Sequence, residues 1–199
     1  MNKTLLAALL FAPLLASAAT PSFDCTKASG SVENLICQDA GLAALDNELA
    51  ALYPKAIAQL SAEQLKTERA MQRGWIKGRN DCWKSEDVRQ CVDDNYTLRI
   101  AELQVTGGQL MVPDPVFYRC GDQLTLESYF YRDAKIPVAV LNISEGNKPP
   151  QQLLTYLKPS GSGARYEGQN ISLFTKGDEA MLERYGQPTL TCMENPTKS

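Results

Sequence analysis

The chain has 199 residues, with 20 Lys and Arg against 23 Asp and Glu, a formal net charge of −3, six cysteines and no histidine. A slightly acidic chain suits nucleic acid poorly, because phosphate contacts need clustered excess Lys and Arg. Without histidine there is no Ser–His or Cys–His catalytic pair and no His-ligated zinc. The length allows one or two small domains.

The first residues read as an address. Lys3 precedes the apolar run from Leu5 to Leu15, and Ala16-Ser17-Ala18 follows. This is the pattern of a secretory signal, residues 1–18, cleaved after Ala18. The run is too short to span a bilayer, no cysteine sits at the cleavage point, and no membrane anchor is expected. The expected location is outside the cytoplasm. Losing Lys3 leaves 19 basic and 23 acidic side chains, a net charge of −4. In an oxidising compartment six cysteines, Cys25, Cys37, Cys82, Cys91, Cys120 and Cys192, point to structural disulfides. With no C-x-x-C pair and no histidine, neither metal nor cofactor is expected.

Residues 19–107 carry a helical period. Leu42, Leu45, Leu49, Leu52, Ala56 and Leu60 line one helix face. Ser61 with Gln64 forms a capping box that opens a second helix, with Met71, Trp75, Gly78 and Cys82 on one side. Ser85 can cap a third, with Glu86 and Asp87 in its first turn and a stripe of Val88, Val92, Tyr96, Ile100 and Leu103. Trp75 and Trp83 are read as packing residues rather than a sugar platform. Four cysteines allow three pairings. Antiparallel helices would bring Cys37 to Cys82 and leave Cys25 for Cys91; two local bridges, Cys25–Cys37 and Cys82–Cys91, are the alternative.

Residues 108–116, with Gly108, Pro113 and Pro115, read as a linker. Beyond it the period becomes two. Leu124, Leu126, Ser128 and Phe130 alternate with Thr125, Glu127, Tyr129 and Tyr131. Further strand-like runs are Val138 to Ile143, Leu153 to Leu157, Ile171 to Thr175, Met181 to Arg184 and Leu190 to Cys192, separated by turn signals. Residues 117–195 thus suggest a small antiparallel barrel or sandwich. Cys120 and Cys192 lie at its two ends; a bridge over that span would stabilise by roughly 4 kcal/mol in the chain-entropy account.

Two resemblances add to this reading. Tyr118-Arg119-Cys120, Ser162-Gly163-Ala164-Arg165-Tyr166, Phe174-Thr175-Lys176-Gly177-Asp178-Glu179-Ala180, Gly186 and Cys192 resemble the MliC/PliC family of inhibitors of C-type lysozyme. The resemblance implies an eight-stranded antiparallel β-barrel closed by one disulfide, Cys120–Cys192. It also implies that Ser162 and Lys176 enter the lysozyme cleft. Gly163 and Gly177 would let the backbone turn sharply there, Tyr166 would support the loop from the barrel, and Arg165 is either a contact to an acidic partner or a solvated arginine. The family often has Trp where this chain has Phe174. The helical segment, through Phe23-Asp24-Cys25, Val32 to Cys37, Leu45-Asp46, Arg69 to Trp75, Arg79 to Cys82 and Cys91, is similar to LprI-like cysteine-rich modules.

The expected architecture is therefore α+β in two domains, a small disulfide-stapled α-helical module followed by the barrel. The expected function is a periplasmic inhibitor, not an enzyme, with C-type lysozyme as protein partner. The rival is an envelope interaction or scaffolding protein acting through the helical module. The pair Asp178-Glu179 invites a glycosidase reading, but adjacent strand residues point to opposite faces and cannot flank one bond.

Overall fold

The computed structural model describes residues 20–195. The leader expected over residues 1–18 lies outside them. After a one-turn segment at Cys25–Lys27 come α1 (Ser31–Gln38), α2 (Ala40–Ile57), α3 (Ala62–Asn80), a second one-turn segment at Asp81–Lys84, and α4 (Val88–Thr106). Then follow β1 (Val116–Cys120), β2 (Leu124–Tyr131), β3 (Val138–Glu145), β4 (Gln151–Lys158), β5 (Ala164–Gly168), β6 (Ile171–Lys176), β7 (Glu179–Arg184) and β8 (Leu190–Glu194).

The helical module holds four helices where the apolar period suggested three. Asp39 makes the extra break: it adopts extended backbone (φ −103°) and its carboxylate accepts from the Leu42 amide, ending α1 and capping α2. The capping box of Ser61 and Gln64 starts α3 as the pattern predicts. The cap of α4 is Asp87 rather than Ser85, accepting from the Gln90 amide at 2.9 Å. Leu60 falls beyond the end of α2. The disulfides are the local pair, Cys25–Cys37 and Cys82–Cys91; the cross-helix pairing does not form. Each bridge instead ties a one-turn segment to the helix beside it.

Val32, Ile36, Leu42, Leu49, Val92, Tyr96, Ile100 and Leu103 form the module's core. The stripe read on α3 is only partly buried: Trp75 packs edge-on against Tyr96, while Met71 and Gly78 are exposed. The reason is that α3 meets α4 through polar groups. Arg99 of α4 binds Gln72 and Glu68 of α3. Arg79 is 5 % exposed, donates to the Tyr96 hydroxyl at 2.6 Å, and lies 3.9 Å from Asp46. Tyr96 and Ser22 in turn donate to the Asp46 carboxylate. Trp83, read as a packing residue, is exposed, because it sits on the outward side of its one-turn segment.

The eight strands form a closed antiparallel barrel in sequential order, so the barrel rather than the sandwich is correct. Leu126, Leu141, Ile143, Leu173, Leu182 and their neighbours fill the interior, as expected for a barrel of this size. β1 pairs with β8, and there Cys120 faces Cys192 in register and is bonded to it. The linker ends one residue early, since Val116 already pairs with Ser128. The short strands β1 and β5 were absent from the alternation read in the sequence.

The modules touch along one seam. Ala101 of α4 packs with Ala134 and Val138, joined by Val105, Leu110, Tyr131, Ile136, Leu154 and Tyr156. Lys135 seals the edge, pairing with Glu48 at 2.6 Å while its amide donates to the Gln104 side chain.

Two measurements test this account. Arg79→Ala leaves Asp46 buried without its cation and should cost the helical module about 3–5 kcal/mol in urea unfolding, read from Trp75 fluorescence. At the barrel rim formed by residues 185–189 and 146–150, Arg184 and Lys148 hold the Glu145 carboxyl down at about 2. A depressed folded pKa stabilises above the ordinary carboxylate range and loses that contribution as pH falls toward 2. Arg184→Gln should therefore remove part of the barrel's acid unfolding between pH 4.5 and 2, with the Glu145 titration by NMR moving back up.

Candidate functional site

In an up-and-down barrel alternate connections share one rim. Residues 132–137, 159–163 and 177–178 share one, and the start of β1 and the end of β8 lie there too. Ser162 lies in the loop between β4 and β5, and Lys176 ends β6 at the turn into β7. β5 pairs with β6 through Ala164 opposite Thr175. Ser162 and Lys176 are therefore two and one positions beyond that last rung, side by side at the same rim. Both are exposed.

The loop carrying Ser162 is braced from below. Gly163 has φ +70°, and a Cβ there would lie 2.4 Å from the Thr175 carbonyl and 2.8 Å from the Phe174 ring. Only glycine allows this contact. Ser160 adds a clasp, its hydroxyl donating to the Gly163 carbonyl at 3.0 Å. Gly161 meets nothing within 4 Å and plays no comparable part.

The turn carrying Lys176 is equally defined. Lys176 faces Glu179 across two central residues, Gly177 and Asp178. Gly177 has φ +58°, and of the two only it is at positive φ, as a type II′ hairpin turn requires. The Asp178 carbonyl accepts from the Glu194 amide at 2.8 Å, fastening the turn to β8. Among the described residues Lys176 makes no ion pair within 4 Å, so its ammonium remains available.

The other expected residues separate into support and wall. Tyr166 is 5 % exposed, points into the barrel and packs on Phe130 with ring centroids 5.2 Å apart. Burial raises its phenol, and the neighbouring Tyr118 is pushed up to about 12 by burial with help from Glu194 and Asp178. Both rings are neutral packing groups. Arg165 lies on the outer wall, over the Phe174 ring, donating to Ser172 at 3.1 Å and approaching Glu183 at 3.5 Å. Its charge is already engaged within the barrel.

Phe174 is the site residue whose role sequence reasoning did not assign. Standing where the family often has Trp, it supports both Gly163 and Arg165. Asp178 and Glu179 lie within or beside the tight turn, and among the described residues no group of three acidic, cysteine or histidine side chains could hold a metal ion.

The arrangement offers a hydroxyl and an unpaired ammonium on two rigid projections at one rim. It can occupy an acidic cleft.

Comparison with known proteins agrees with the division of the chain. Residues 118–191 match the family described as membrane-bound lysozyme-inhibitor of c-type lysozyme, MliC. Residues 25–105 match the family described as lysozyme inhibitor LprI. The lipoprotein LprI of Mycobacterium bovis, and that of two strains of Mycobacterium tuberculosis, are each 33% identical over 172 residues, covering 86% of this chain and 83% of theirs. The similarity thus runs through both modules, helical first and barrel second, and on that ground the chain belongs to the LprI family of lysozyme inhibitors.

Proposed function

We propose that this protein is a periplasmic inhibitor of C-type lysozyme that inserts the Ser162 loop and the Lys176 turn into the enzyme's active-site cleft. The observation that carries the reading is the position of these two side chains, exposed side by side at one rim, each fixed by its own backbone device. C-type lysozyme acts through two carboxylates flanking the scissile bond. Lys176 places an ammonium against them, and Ser162 donates its hydroxyl to one. Shielded from water between two proteins, such charge-assisted bonds are short and strong.

Rigidity explains how so few groups can suffice. Ordering a flexible loop on binding costs affinity, and a loop already held in shape avoids that cost. Gly163 against Phe174 and the turn at Gly177 supply that order before the partner arrives. The mature charge of −4 favours encounter with a basic enzyme, chiefly through the association rate. The chain itself needs no proton shuttle, which fits its lack of histidine.

Equimolar full-length mature protein should block lysis of a lysozyme-sensitive cell suspension. Ser162→Ala with Lys176→Ala should raise the inhibition constant at least about thirtyfold, in the range for truncating one side of a buried charged contact. Full inhibition by that double variant would refute the site. Gly163→Ala should also weaken inhibition, because the added methyl lifts the loop off Phe174, whereas Gly161→Ala should leave it unchanged; the same titration reads both.

A further inference from the structure

The helical module between residues 19 and 107 has ten Lys and Arg against thirteen Asp and Glu. Five of those cations are ion-paired: Lys27, Arg79, Lys84, Arg89 and Arg99. Of the remaining five, four stand on one helix. Lys66, Arg69, Arg73 and Lys77 follow at spacings of three, four and four along α3, which places them in a row on a single face. All four are exposed and none has a carboxylate within ion-pairing distance among the described residues. The row is straight and about 16 Å long at the helical rise of about 1.5 Å per residue.

At the C-terminal end of the row two large apolar side chains are exposed. Trp83 is 59% exposed and Ile76 is 38% exposed. With Arg73 and Lys77 they line a shallow hollow of about 430 Å³. Asp81, which also lines the hollow, is paired with Lys84 at 3.0 Å. A line of unpaired cations beside an exposed indole is the combination that suits a lipid headgroup layer.

The fold turns this face away from the barrel. α4 meets α3 through Asn95 and Arg99 on one side and meets the barrel through Ala101 on another. A basic lysozyme would be repelled by the row.

We propose that the outer face of α3 is a membrane-docking surface for a bilayer of anionic phospholipid. Lys66, Arg69, Arg73 and Lys77 lie over the phosphates, and Trp83 with Ile76 enters the headgroup layer. Adsorption is peripheral, reversible and salt-sensitive. It holds the inhibitor at an envelope surface through the helical module and leaves the barrel rim free.

The test is co-sedimentation of the full mature chain with vesicles of equal parts phosphatidylglycerol and phosphatidylcholine, against phosphatidylcholine alone. Binding is expected only to the anionic vesicles, with a blue shift of Trp83 emission that Trp83→Phe abolishes. It should be lost at about 0.5 M salt, where screening acts within a few ångströms. Each cation at an anionic surface contributes roughly fivefold in partitioning, so the combined variant Lys66→Gln, Arg69→Gln, Arg73→Gln, Lys77→Gln should lose about a hundredfold or more. Lys55→Gln, at the module's other cation without an ion pair among the described residues, should be near neutral. All these side chains are exposed, and circular dichroism checks that the variants fold. Equal sedimentation of the combined variant and the parent overturns the proposal. So does retention by purified peptidoglycan without retention by anionic vesicles. Lysozyme inhibition should be the same in parent and variant, so this proposal and the cleft-binding reading fail separately.

Discussion

Closure of the sheet is the constraint on which the rest depends. β1 and β8 would otherwise be two open edges, each with a row of unpaired amides and carbonyls. Their pairing, locked where Cys120 faces Cys192, removes both. Closure also fixes which connections share a rim, so a loop after β4 and a turn after β6 come to stand side by side. The interior is then narrow enough for side chains to fill, and Tyr166 and Phe130 close it beneath the loops.

The helical module solves a different problem with different means. A small four-helix unit buries little apolar surface, and this one adds local disulfides and a polar seam. Arg79, Asp46 and Tyr96 satisfy one another in the interior with Ser22 joining from the surface, and buried Arg99 is met by the half-buried Glu68, Gln72 and Glu102. Breaking one member would leave buried charge without compensation. The barrel, by contrast, owes little to buried charge; its precision lies in backbone shape at Gly163 and Gly177.

Much of this was legible in the residues. β2 could be read because Leu124, Leu126 and Ser128 face inward while their neighbours face out, and the Ser61–Gln64 capping box marks the start of α3 in the sequence itself. β1 and β5 were not, since five residues give too few periods, and β5 alternates Arg165, Tyr166 and Glu167 only once. The apolar period overstated the buried face of α3, because its true contacts are Gln72, Glu68 and Arg79, which such a pattern counts as solvent-facing. The cysteine pairing could not be decided from spacing: the helix break at Asp39 that keeps Cys37 near Cys25 depends on one side chain's capping bond. At the site, the motifs brought Ser162 and Lys176 together. The role of Phe174 stayed hidden, because an aromatic in a strand reads as core rather than as the floor of a loop.

The seam between the modules has a consequence for modularity. A strand in a free-standing barrel shows an apolar face inward and a polar face outward, but β4 is apolar on both: Leu153 and Leu157 pack inside, Leu154 and Tyr156 outside against the helices. With Tyr131, Ile136 and Val138, these outward residues form a greasy saddle moulded to α4. Cut away from its helical partner, this barrel would present that saddle to solvent as a contiguous sticky patch. The two halves are thus fitted to each other, and what looks in sequence like a detachable inhibitor on a spacer behaves as one body with a shared wall.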